Sequence, residues 1–223
     1  MSRSPAATQR YGVALALLLV SMVYVIAMPE GGWQRLVALV LQIAALHTTL
    51  TAAGMDRRLR VPFDLLFGGA IAAGLILELI SNDPGAGYIR TVILLLVVVA
   101  IPVVGFGVLR QVREDVSITV HTMIGVLCVY LLMAISFAYL FAVIGELGSQ
   151  PFFTQGPQWN DLSDYLYYSL ITITTVGLGD LTPATDLGRS LTAAEALIGQ
   201  IYMVTIVAVI VSNIGHRRSR KDG

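Results

Sequence analysis

The chain has 223 residues, of which 56% are hydrophobic and 13% charged, with zero formal net charge and a mean hydropathy of +0.78. Soluble domains carry about 25% charged residues, so this composition excludes an ordinary soluble domain and predicts an integral membrane protein. Zero net charge speaks against a nucleic-acid partner, and the single cysteine, Cys128, rules out an intrachain disulfide or a cysteine metal site.

Met1 to Arg10 is polar, and Tyr11 to Met28 is the first apolar span, closed by Pro29-Glu30-Gly31-Gly32. It is rather long for a signal peptide and lacks a clean small-x-small cleavage site, so it is read as a span. Trp33 to Gly54, with Trp33 at the interface, Val61 to Ile80 and Thr91 to Leu109 form the second, third and fourth. Each is near the roughly 20 residues that cross the hydrocarbon as a helix. Ser117 to Glu146 is a longer fifth span, followed by a loop rich in Gly, Pro and Gln from Leu147 to Gln158. Leu187 to Asn213 is the sixth. With six spans, eleven of the fourteen Lys and Arg fall on one side, which is then cytoplasmic. Both termini are expected inside a plasma-membrane protein, and the loop between spans five and six enters from outside.

That loop holds the centre of the argument. Trp159 to Thr174 reads as a short re-entrant helix, capped by Asn160 or Asp161 and collared by Tyr165, Tyr167 and Tyr168. From Leu162 it covers about 20 Å, too little to cross, so its negative C-terminal end aims into the membrane and favours a cation. Next come Thr174, Thr175, Val176, Gly177, Leu178, Gly179 and Asp180. Non-helical backbone at membrane depth is tolerated only where it is packed in protein or lines a watery path. Carbonyls that strip water from an ion must point the same way, which needs alternating right- and left-handed backbone. Gly177 and Gly179 take the left-handed conformation without a Cβ penalty. Val176 and Leu178 are expected to point back into the protein, and Thr175 adds its hydroxyl at the inner end.

The stretch resembles the Thr-Val-Gly-Tyr-Gly filter of potassium channels, with Leu178 where that family has Tyr or Phe. From Asp161 to Asn213 the chain resembles the pore module of voltage-gated-type potassium channels, the six-span superfamily with matching lengths of pore helix, filter and inner helix. The resemblance implies an all-α membrane fold of six transmembrane helices with a re-entrant pore helix between the fifth and sixth. It implies a homotetramer in membrane lipid that binds K⁺ at Thr175, Val176, Gly177 and Leu178, with no other cofactor. Gly199 falls at that family's inner-helix hinge. Ile206-Val207-Ala208 stands where it has a Pro-Val-Pro kink, so a bend made by proline is not expected. Tyr167 and Tyr168 replace paired tryptophans. Leu178 cannot make the usual aromatic hydroxyl bond, so its apolar packing against these tyrosines is expected to hold the filter open.

The domain division is then 1–115, a four-helix scaffold, 116–214, the pore domain, and 215–223, a short basic tail. The scaffold resembles a voltage-sensor domain but has no Lys or Arg between Thr91 and Leu109. Glu195, two turns into the sixth span, either hydrogen-bonds the pore helix as filter support or sets the charge of the cavity. Glu78 is expected to pair with Arg35 or Arg90, Asp64 with the cytoplasmic arginines, and Gly68, Gly69 and Gly74 to pack helices closely. Asp180 would form a ring of carboxylates at the mouth. His47, His121 and His216 lack ligand spacing, and neither Gly-x-Ser-x-Gly nor His-Glu-x-x-His occurs, so no enzyme is expected. Paired broken helices, the mark of an inverted-repeat transporter, are missing too. A weakly selective cation channel is the alternative. Ten residues follow Asn213, too few for a ligand-binding domain; the stimulus, including an unknown regulatory subunit, stays open.

Overall fold

The computed structural model describes residues 5–27, positions 37, 40–42, 44, 45, 47–49, 51, 61 and 69, and residues 120–219. Most of the expected second, third and fourth spans, with Arg35, Asp64, Glu78 and Arg90, therefore lies outside the described residues. Among those residues the chain is helical, with no strand and one isolated β-bridge, Phe153 with Pro183. Four helices are defined: α1 (Pro5–Ala27), α2 (Val120–Leu147), α3 (Leu162–Ile173) and α4 (Asp186–Ser219).

Helix α1 begins at a proline, whose missing N–H is harmless in the first turn, and ends just before Pro29. Ala14, Leu18, Ser21, Met22 and Val25 recur every three or four residues and are buried, whereas Val13, Leu19, Val20, Val23 and Ile26 are exposed. Apolar residues on both faces suit a helix with protein on one side and lipid on the other. The buried side packs on α2 and touches α3. Helix α2 has no charged residue between Val120 and Gly145 and is enclosed by α1, α3 and α4. Its Tyr139 hydroxyl donates to Gln42, a buried polar link that holds Gln42 against it.

By length and composition, Met123–Leu147 of α2 and Asp186–Ala208 of α4 are able to cross a membrane. Helix α3, of 12 residues, covers about 18 Å and is not. Helix α4 runs unbroken for 34 residues, about 51 Å, six residues beyond the expected end at Asn213. It passes Gly199 and Ile206-Val207-Ala208 as helix throughout, since no proline removes a backbone donor there. Leu197, Ile201, Val204 and Val207 on α4 are exposed within one chain.

Candidate ion-conducting site

Helix α3 starts at Asp161, whose extended backbone (φ −82°, ψ 155°) and N–H bond to Asp164 Oδ2 at 3.1 Å form the cap. Asn160, the other candidate cap, instead accepts from the Tyr165 hydroxyl. At the far end Thr174 closes the helix, its N–H and hydroxyl both donating to the Leu170 carbonyl at 3.2 and 2.5 Å. The last helical carbonyl, on Ile173, accepts the buried Tyr130 hydroxyl of α2 at 2.7 Å. An orphaned helix-end carbonyl is thus satisfied by a side chain.

Beyond Thr174 the backbone alternates. Thr175 has φ +59°, Gly177 +52° and Gly179 +78°, while Thr174 (φ −81°), Val176 and Leu178 lie on the negative side. The two glycines adopt the left-handed state at little cost, but Thr175 adopts it against its own branched Cβ. Two backbone bonds hold it there: Thr175 N–H to the Thr172 carbonyl at 2.9 Å and Gly177 N–H to the Ile171 carbonyl at 3.0 Å.

The outer end is tied down three ways. The Tyr167 hydroxyl donates to Asp180 Oδ2 at 2.7 Å, and that bond holds the phenol pKa above its ordinary value. Thr154 N–H donates to the Thr182 carbonyl at 2.9 Å, and Ala184 N–H to the Phe152 carbonyl at 2.8 Å. The Gln155 side chain accepts from Thr182 N–H at 3.2 Å and donates to Thr182 Oγ1 at 3.3 Å. The loop before the pore helix therefore clamps the turn after residue 180. Its Phe152 and Phe153 insert among Phe141, Tyr165 and Tyr168 with ring centroids 4.9–6.2 Å apart, close enough for edge-to-face packing. A cleft of about 440 Å³, bordered by Tyr168, Thr172, Thr175, Gly177, Gly179 and Arg189, opens beside the backbone stretch.

The expected residues are placed as follows. Thr174 to Asp180 form one continuous non-helical strand at the end of α3. Tyr168 reaches the inner helix, its hydroxyl 2.8 Å from Thr192 Oγ1. Leu178 is 66% exposed within one chain and Val176 59%. Inside one chain the segment is supported by the Tyr167–Asp180 bond together with the backbone bonds of Thr175 and Gly177. Glu195 is fully buried and hydrogen-bonded to Ser169 of α3, which favours the supporting role over the cavity role. Gly199 lies so close to α3 that an added Cβ would stand 2.7 Å from the Ile173 carbonyl oxygen. Helix α4 is unbroken there, and the glycine is a close-approach position. Tyr130, Ser169, Thr154, Gln155 and Thr182 were not singled out in the sequence; a tyrosine inside an apolar span was the one usable signal, because its hydroxyl needs a partner.

Two helices long and apolar enough to cross a membrane are thus joined by a short helix and a segment of alternating backbone sign. Residues 125–215 match the family model described as ion channel. The chain is 35% identical to Protein LctB of Bacillus caldotenax over 94 residues, covering 40% of this chain and 69% of that protein. A putative potassium channel protein of Rhodopseudomonas palustris is 34% identical over 67 residues, 29% of this chain and 16% of its own. A probable potassium channel protein of Methanocaldococcus jannaschii is 34% identical over 79 residues, 34% of this chain and 19% of its own. The chain belongs to the ion-channel family. It is a membrane protein of a channel family, not of an enzyme family.

Proposed function

We propose that the chain is the pore-forming subunit of a homotetrameric channel that conducts K⁺ passively. The observation that carries this reading is the alternation of backbone sign from Thr174 to Gly179 at the C-terminal end of α3. Alternation lets successive carbonyls face one axis, as ion dehydration requires. In this reading Thr175, Val176, Gly177 and Leu178 coordinate K⁺, and Asp180 attracts cations to the mouth. Helix α3 is the re-entrant pore helix, α2 and α4 the outer and inner helices. Four further spans, ending before residue 116, complete a six-span subunit with both termini in the cytoplasm of a plasma-membrane protein.

A tetramer is supported by what one chain leaves uncovered. Val176, Leu178, Leu197, Ile201 and Val204 are exposed apolar residues, and the cleft beside the strand opens where a neighbour would pack. One strand, moreover, is unable to surround an ion. The potassium names of the two relatives support selectivity for K⁺. Purified protein in liposomes tests the proposal: reversal potentials in mixed K⁺ and Na⁺ should follow the K⁺ gradient, and mass in nanodiscs should be that of four chains. A reversal potential indifferent to K⁺ over Na⁺ would favour the weakly selective alternative. A conducting monomer or dimer would overturn the tetramer.

A further inference from the structure

Behind the pore helix three elements meet at one hydroxyl. Ser169 of α3 is fully buried, its Oγ 2.7 Å from the Ala134 carbonyl oxygen of α2 and hydrogen-bonded to Glu195 Oε1 of α4. A serine hydroxyl has one proton to give and lone pairs to accept with, whereas a carbonyl only accepts. The Ser169 proton therefore lies toward Ala134. The bond between Ser169 and Glu195 then needs a second proton, and the carboxyl is its only source. Were Glu195 ionised, Ser169 would turn its proton to it and leave two bare oxygens 2.7 Å apart.

The surroundings agree. Glu195 is 0% exposed and its Oε2 has no hydrogen-bond partner among the described residues. A buried carboxylate with an unmatched oxygen is costly, while a neutral acid leaves only one weak acceptor unmet. Among the described residues the titratable groups facing it are Tyr130 from α2 and Tyr168 from α3, neither cationic. Their hydroxyls are engaged with the Ile173 carbonyl and Thr192. The buried face of α1 (Ala14, Leu18, Ser21, Met22, Val25) and the α4 neighbours Leu191, Thr192, Ile198 and Gly199 bring no charge.

We propose that Glu195 is a neutral carboxylic acid in the working channel and a positioning residue. It donates to Ser169, Ser169 donates to Ala134, and this relay binds the inner, pore and outer helices together behind the filter. The relay is independent of membrane charge, so Glu195 contributes nothing to the electrostatics of the cavity. The inference rests on the pore reading above.

Infrared spectra of the wild-type channel in liposomes at neutral pH should show a protonated-carboxyl band that Glu195→Gln removes. Because a Gln amide donates to Ser169 in the same direction, Glu195→Gln should conduct K⁺ within about twofold of wild type. Ser169→Ala and Glu195→Ala should lower flux about tenfold, the effect of one lost buried hydrogen bond. Absence of a Glu195-dependent acid band overturns the proposal, as does a Gln variant as impaired as the Ala variant, which would show that charge is needed. If the Ala variants fail to assemble, the band and the Gln variant still decide. A wild-type protein that shows the band but passes no K⁺ would instead refute the pore reading.

Discussion

The hydroxyl of Tyr167 donates to the side chain of Asp180 at 2.7 Å and joins the middle of α3 to the outer end of the Thr174–Asp180 segment, the proposed filter. Within one chain this bond ties the two together directly, while Leu178 is 66% exposed. The filter is a strand without a ladder. Its outer end stays put only as long as residue 180 does.

Tyr167→Phe keeps the ring and removes the donor. The expected outcome is a normally assembled channel whose openings are interrupted by several-fold more frequent closures. Single-channel recording in symmetric K⁺ checks this, and unchanged open times would show that the tie is idle. Replacing Asp180 by Asn keeps an acceptor and should do less to open time, while lowering unitary conductance at low salt, where a ring of carboxylates concentrates cations most.

Gly177 has φ +52° with no atom within 4 Å of an added Cβ. Space is therefore available, and the penalty of Gly177→Ala is conformational, roughly 1–2 kcal/mol per subunit. Multiplied over the four subunits of the proposed tetramer, that should collapse selective conduction without preventing assembly. Rubidium uptake into liposomes is the measurement, and undiminished selective flux would remove Gly177 from the filter.

Gly199 presents the opposite case. An added Cβ would stand 2.6 Å from Ile173 Cγ1 and 2.7 Å from the Ile173 carbonyl oxygen, inside any normal contact. That carbonyl already accepts from Tyr130 and has little freedom to move. Gly199→Ala should thus cost about 1–3 kcal/mol per subunit by overpacking, seen as a lower thermal midpoint of the assembled channel. A hinge alone would alter opening and leave that midpoint in place.

These sites differ in how openly the sequence displays them. Gly177 and Gly179 are visible because only glycine enters the left-handed region freely, and α3 is visible because Asn160 or Asp161 is read as its cap. Thr175 is not: a β-branched residue argues against φ +59°, and backbone bonds to Thr172 and Ile171 override that preference. The clamp of Thr154 and Gln155 on Thr182 and the relay through Ser169 join residues 26–35 positions apart or depend on such pairings. No local period encodes a partner at that separation. The end of α4 at Ser219 was hidden for a simpler reason, since the family-like ending at Asn213 contains no residue that stops a helix.

The last prediction concerns voltage. Four spans before a pore suggest a sensor, but sensing requires charge inside the field. Each elementary charge crossing 100 mV is worth about 2.3 kcal/mol, and steep gating needs several per subunit. Between Thr91 and Leu109 there is no Lys or Arg, and in the proposed six-span reading Arg90 and Arg110 would stand at the interfacial ends of the stretch. Little of the potential drops between alternative positions there. Pro102, Gly105 and Gly107 also disfavour a straight helix that slides. The relay proposed at Glu195 adds no charge to the field either. Conductance recorded against voltage in a planar bilayer with symmetric K⁺ should therefore vary only shallowly. A steep sigmoid equivalent to several gating charges per subunit, abolished by neutralising Arg90 or Arg110, would make the first four spans a voltage sensor after all.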